Sequence, residues 1–309
     1  GVPYTGIMMA ALLPALLFFA AVWIGIDAYA LRHDLKGLPE EEQPGIRTVL
    51  ITSSFFLVPF SVLLWAMFAA GFTPQYAASL AILAAAVLLL FDSRLTLDGA
   101  RTLKRIEQAA INSGKQVATI ASIILCASII VGVLGITGLG VKITSLILSG
   151  SGGMLWPALL LTALACLILG MEVPTTAAYV ICVSIAGPAL TGLGLPPLQT
   201  HLFVFWFALL STITPPVCGP VFIAAGMVGE NWLKVAVSAM ALGLGLYLIP
   251  LGMIANPALI ELAATPAMAL LAALKIGLAL AFISFGVIAP KAPWFRAMLV
   301  LAGTTILFV

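Results

Sequence analysis

Charge is what this sequence has least of. Only 8% of its 309 residues are Asp, Glu, Lys or Arg, where a soluble domain uses about a quarter. Hydrophobic residues make up 63%, and the mean hydropathy is +1.23. Such a chain cannot clothe itself in water-facing side chains, so its solvent is largely lipid and a soluble domain is excluded. The net charge of +2, with no basic stripe, excludes nucleic acid as a partner. Histidine is nearly absent: His33 and His201 lie far apart. The cysteines, Cys126, Cys166, Cys182 and Cys218, sit in apolar segments without short ligand spacing. They read as small buried hydrophobes, which excludes a zinc or iron–sulfur site. No phosphate-cradling Walker A loop is present, so energy must come from an ion gradient or another subunit, and no cofactor is expected. The chain starts at Gly1 without a basic-flanked signal peptide and stops at Val309 inside an apolar run. That reads as a piece of a longer membrane protein.

Long apolar runs are what the sequence has instead. Runs of about 20 residues mark spanning helices, and they fall at 6–31, 47–70, 73–91 and 116–136. Segment 92–115 carries Arg94, Arg101, Lys104, Arg105 and Lys115. Its Leu95, Leu97, Leu103, Ile106 and Ala110 are able to share one face, so it reads either as a plain connector or as an amphipathic interfacial helix. Its cations place it in the cytoplasm, and Arg32, Lys36 and Arg47 place loop 32–47 on the same side. Loops 71–74 and 192–200 lack Lys and Arg and fall outside. This assignment requires region 152–194 to enter and leave the membrane on the outer side. A later apolar run, 266–289, contains Lys275, which reads as snorkelling to the outer interface. Glu230 and Lys234 read as interfacial, with Glu230 a weaker site candidate.

Between Ile143 and Gly229 the one charged residue is Glu172. It lies in 170-GMEVP-174, which interrupts two apolar arms, 152–169 and 174–192. Two full spans would make Glu172 an ordinary surface turn residue; a re-entrant hairpin would hold the break at depth. The next run, 201–228, is interrupted by 210-LSTITPPVCGP-220. Pro215, Pro216 and Pro220 remove amide donors there and disfavour a continuous helix. Ser211, Thr212 and Thr214 stand beside this break. Their hydroxyls either back-bond to their own helix or, with freed carbonyls, bind a small cation. Two interrupted segments in succession favour a binding centre built from Glu172, Thr175, Thr176, Ser211, Thr212 and Thr214.

The stretches 170-GMEVPTTAAYV-180 and 207-FALLSTITPPVCGPVFIAAGMVGENWLK-234 resemble the large membrane subunit of tripartite ATP-independent periplasmic (TRAP) transporters. Within that family they look most like the TAXI branch, as do 249-IPLGMIANPALI-260 and 3-PYTGIMMAALLPALLFFAAV-22. The likeness runs from about residue 1 to 290. It implies an all-α polytopic membrane protein, an elevator-type transporter half with one re-entrant hairpin (152–194) and one broken helix (201–228). On that reading 1–46 ends the first repeat and includes a cytoplasmic loop, and 47–115 holds scaffold helices and the connector. The second-repeat transport region is 116–254, followed by further membrane helices at 255–309. The resemblance puts the hairpin tip at 170–176, and because a charged Glu172 disfavours a carboxylate, substrate is expected at Pro174, Thr175 and Thr176. The hydroxyls and carbonyls beside the prolines suit Na⁺, expected at Ser211, Thr212, Thr214 and Pro215, with Glu172 assigned to ion coordination or to the geometry of the tip. The implied partners are an extracytoplasmic binding protein, a small membrane subunit (separate or fused), the missing first-repeat half and the lipid bilayer.

The expected function is ion-coupled uptake, with Na⁺ the expected ion, of a small organic acid across a bacterial or archaeal cytoplasmic membrane. The chain is not expected to be an enzyme. The alternatives are a non-transporting membrane scaffold, a channel, or an intramembrane enzyme using Glu172. For the last of these, His201 is the one titratable partner near that region.

Overall fold

The computed structural model describes residues 2–37, 39, 44–91, 99–171, 173–216 and 218–309. Glu172 and the expected residues Arg94, Leu95 and Leu97 lie outside the described residues. Among the described residues the fold is all-α, with thirteen α-helices and no β-strand. By length and composition, five helices can cross a membrane, or six if one bent pair counts as a single span. The expectation of an all-α polytopic membrane protein holds.

Two compact units form. The first comprises residues 1–5 and 36–122. It holds α2 (Ile46–Phe68), α3 (Pro74–Leu88) and the start of α4 (Gly99–Thr137). The chain reverses between α2 and α3 at Gly71, whose φ of +67° favours glycine. Thr73 then caps α3, its hydroxyl accepting from the Tyr76 amide at 3.4 Å, with Pro74 at the first helical position. Helix α4 is continuous across residues 115 and 116, so the connector and the expected fourth span are not separate elements. The physical reason is that 99–137 contains no proline, and its internal glycines weaken a helix without breaking it. It stops at Gly138, in the left-handed region at φ +64°.

The second unit, residues 6–35 and 123–309, carries the remaining helices. These are α1 (Tyr4–His33), α5 (Leu139–Gly150), α6 (Leu155–Leu169), α7 (Thr175–Gly192), α8 (Pro197–Leu210) and α9 (Gly219–Val228). They continue as α10 (Trp232–Leu242), α11 (Leu244–Ala255), α12 (Pro266–Ile288) and α13 (Pro293–Phe308). Helix α5 has no counterpart among the expected elements. Helix α6 has 15 residues, about 22 Å of rise, which is short of the roughly 30 Å hydrocarbon core. Leu159, Cys166, Ala178, Cys182 and Phe203 form the centre of the core where α6, α7 and α8 meet.

Helix α11 contains Pro250, which has no amide hydrogen for the Leu246 carbonyl one turn back. Trp206 of α8 supplies the missing donor: its indole nitrogen donates to that carbonyl at 2.9 Å. Helix α1 crosses the junction of α10 and α11 at small residues. A Cβ on Gly25 would lie 2.4 Å from the Leu242 carbonyl oxygen, and one on Gly245 would lie 2.6 Å from Ala21 Cβ. Helices α9 and α10 meet at a bend of 117°. There Gly229 takes φ +67° and Asn231 caps α10 through the Leu233 amide.

Candidate functional site

Three interruptions of the helical backbone come together in the second unit. Helix α6 ends at Gly170, and Pro174 precedes the first residue of α7. Helix α8 ends at Leu210 and tightens into a 3-10 turn, Ser211–Ile213. The third interruption is Gly243, between α10 and α11. An added Cβ on Gly170 would lie 2.4 Å from Ser211 Oγ, so the first break sits directly against the second. An added Cβ on Gly243 would lie 3.5 Å from Ile213 Cδ1, which brings the third to the same place.

Prolines explain why the second break stays open. Thr214, before Pro215, is held extended at φ −98° and ψ 125°. Pro215 cannot donate to the Ser211 carbonyl, which takes the Thr214 amide instead at 3.3 Å. Pro216 has no hydrogen to give the Thr212 carbonyl. The Pro215–Pro216 bond is cis. The last carbonyls of α8 are covered by the three hydroxyls. Ser211 donates to Ala208 at 2.7 Å, Thr212 to Leu209 at 2.8 Å and Thr214 to Leu210 at 2.7 Å.

Back-bonding of these hydroxyls and cation binding are compatible. A hydroxyl has one hydrogen and two lone pairs, and committing the hydrogen to a carbonyl leaves the oxygen free to face a cation. Ser211 is fully buried, whereas Thr212, Thr214 and Pro215 are half-buried. Thr214 Oγ1 also lies 2.7 Å from the Tyr247 hydroxyl. Because the Thr214 hydrogen is already used, Tyr247 is the donor. The sequence reading missed both Tyr247 and Gly243; the signal for them was the glycine-spaced run 243-GLGLY-247 beside an otherwise ordinary apolar helix.

On the other break, Pro174 and Thr176 are exposed and Thr175 is half-buried. The N-cap residue Pro174 offers no side-chain hydrogen bond to α7, whose first turn contains no acid. Among the described residues no side chain covers its first amides or its positive dipole end. The structure thus joins Gly170 to Ser211, while Glu172 lies outside the described residues. His201 falls one turn inside α8 rather than at its start, and its Nδ1 lies 2.7 Å from the Tyr179 hydroxyl. Glu230 and Lys234 form an exposed ion pair at 3.4 Å on the bend between α9 and α10, a contact of little weight.

A family model described as tripartite ATP-independent periplasmic transporter, DctM component, matches residues 1–268. The chain belongs to this family. It is therefore a membrane component of a TRAP transporter and not an enzyme, which removes the intramembrane-enzyme alternative. Most of α12 and all of α13 lie beyond the matched residues of this DctM-family chain. No curated protein and no solved structure matches it.

Proposed function

We propose that this chain is a TAXI-branch permease component carrying out Na⁺-coupled, elevator-type uptake of a small organic acid. The observation that carries the reading is the direct apposition of Gly170 and Ser211, which puts two helix breaks against one another. On this reading 152–194 is a re-entrant hairpin and 201–228 a broken span. Na⁺ is held by Ser211, Thr212 and Thr214, the carbonyl freed at Thr212 and the backbone at Pro215, with Glu172 as a further ligand or as the residue that shapes the tip. The substrate carboxylate meets Thr175, Thr176 and the backbone amides after Pro174, because a helix amino end favours an anion. A charged Glu172 would repel a carboxylate, so it is assigned to the ion side. An extracytoplasmic binding protein delivers the acid. A small membrane subunit and a first-repeat half complete the machine in a bacterial or archaeal cytoplasmic membrane.

The test is uptake by the complete transporter in proteoliposomes with its binding protein. Ser211→Ala and Thr214→Ala should raise the Na⁺ concentration for half-maximal uptake about tenfold, leaving binding-protein docking unchanged. Glu172→Gln should lower uptake or shift its Na⁺ or pH profile, with membrane insertion intact. Unaltered Na⁺ dependence in all three variants would move the ion site elsewhere. Flux that fails to saturate and ignores the binding protein would replace the carrier with a channel.

A further inference from the structure

Helices α1 and α12 meet at two points taken in the same chain direction. A Cβ on Gly277 would meet Leu17 Cδ2 at 3.3 Å, and nearer the other end Arg32 Nη1 donates to the Ile288 carbonyl at 3.4 Å. Between them lies an open apolar groove of about 450 Å³, its walls including Leu13, Leu17 and Ala20 on α1 and Ala273, Gly277 and Ala281 on α12.

The carboxyl end of this helix pair is cationic. Arg296 of α13 donates from Nε to the Gly286 carbonyl at 2.8 Å and from Nη2 to Val287. Together with Arg32 it covers the last carbonyls of α12, where the negative end of the helix dipole attracts cations. A guanidinium has five N–H donors, and this capping leaves spare ones on both arginines. Lys291, three residues beyond Ile288, is exposed, and only its backbone amide is engaged in the fold. None of these cations is ion-paired among the described residues. Asp27 and Asp34, the acids nearest in sequence to Arg32, are both exposed. Trp294 is 71% exposed beside this cluster in sequence, as suits an interfacial aromatic.

We propose that this end of the second unit is a binding site for one anionic glycerophospholipid. Its phosphate rests on Arg32, Lys291 and the spare donors of Arg296, and one acyl chain lies in the α1–α12 groove. The spacing fits. From Ile288 back to Ala281 is seven residues, about 10 Å of helix, and back to Ala273 is about 22 Å. One leaflet, headgroup included, is about 20 Å deep. The occupant is a lipid rather than a free anion, because an apolar groove begins about 10 Å of helix from the cations, within reach of an acyl chain whose phosphate sits on them. A zwitterionic headgroup gains less, since its own ammonium offsets the attraction to the cluster.

The experiment is native mass spectrometry of the purified chain in detergent, with phosphatidylglycerol and phosphatidylcholine of identical acyl chains as probes. The wild type should retain one phosphatidylglycerol in preference to phosphatidylcholine. Lys291→Ala, which removes no bond that holds the fold, should weaken phosphatidylglycerol about fivefold and leave phosphatidylcholine unchanged. Ala281→Phe, which fills the groove, should weaken both lipids. Melting curves without lipid confirm that each variant is folded, and Lys291→Gln repeats the test if Lys291→Ala melts early. Millimolar inorganic phosphate should not displace the lipid. Equal retention of the two lipids by wild type, unchanged phosphatidylglycerol binding in the folded Lys291 variant, or displacement by phosphate alone would each overturn the proposal.

Discussion

At the residue scale, Gly170 and Ser211 make the sharpest statement. Gly170 has φ −87°, so it is not glycine for conformational reasons. It is glycine because a Cβ would lie 2.4 Å from Ser211 Oγ, 2.9 Å from Ser211 Cβ and 3.0 Å from the Cys166 carbonyl oxygen. Gly170→Ala should therefore destabilise the protein by about 1–3 kcal/mol, as overpacking does, read as a lower melting temperature in detergent. Ser211→Ala should not rescue it, because the Cβ clash persists; Ser211→Gly should recover part of the loss, the contact with the Cys166 carbonyl remaining, giving a non-additive double-mutant cycle. Additive effects would mean that the two breaks do not touch. The same break was visible in the sequence as a proline-flanked group of hydroxyls. What the sequence did not disclose is that Thr214 has a partner on α11. Tyr247 comes from a helix 33 residues away in the chain, and no local pattern encodes which tyrosine will arrive.

At the element scale, prolines leave carbonyls without amide donors, and other elements supply them. Trp206 is mostly buried, and its indole donates to the carbonyl that Pro250 orphans. Trp206→Phe should leave that carbonyl unpaired at a loss of about 1–3 kcal/mol in stability. Pro250→Ala restores an amide hydrogen within the helix, so it should recover most of the loss in the Trp206→Phe background. Thermal unfolding of the two single variants and the double variant measures this, and failure of the rescue would assign the role of Trp206 to packing alone. Apolar run lengths made the long helices legible, with α2 and α12 falling within a few residues of their expected bounds. They did not make α5 legible, nor the unbroken passage of α4 through residue 115. Composition changes there from charged to apolar, but the backbone has no reason to stop.

At the scale of the second unit, small residues set how closely helices approach. Helices α12 and α13 touch where a Cβ on Gly303 would lie 2.6 Å from Ile283 Cγ1 and 2.8 Å from the Ala279 carbonyl oxygen. Since lipid tails are as apolar as leucine, such packing, not a hydrophobic drive, holds membrane helices together. Gly303→Val should push α13 off α12, and with it Arg296 off the end of α12. The expected outcome is a lower melting temperature and faster proteolysis between residues 289 and 293, whereas an unchanged digestion pattern would show that the pair is held by other contacts.

The sequence by itself determined the solvent, the helical class, the family resemblance and the two proline-marked places where the backbone breaks, at 170–174 and 211–220. Those follow from local chemistry: apolar run length, missing amide hydrogens at proline, and motif residues that sit within a few positions of one another. Only the tertiary structure decided which breaks meet, that Tyr247 joins Thr214, that Trp206 serves Pro250, and that Arg32 and Arg296 converge on the end of α12. Each of these is a contact between segments distant in the chain. Helices of nearly uniform hydrophobicity carry little in their sequence to fix which face turns toward which neighbour. The close approach of glycines and the need to satisfy every buried carbonyl settle that choice once the helices are packed.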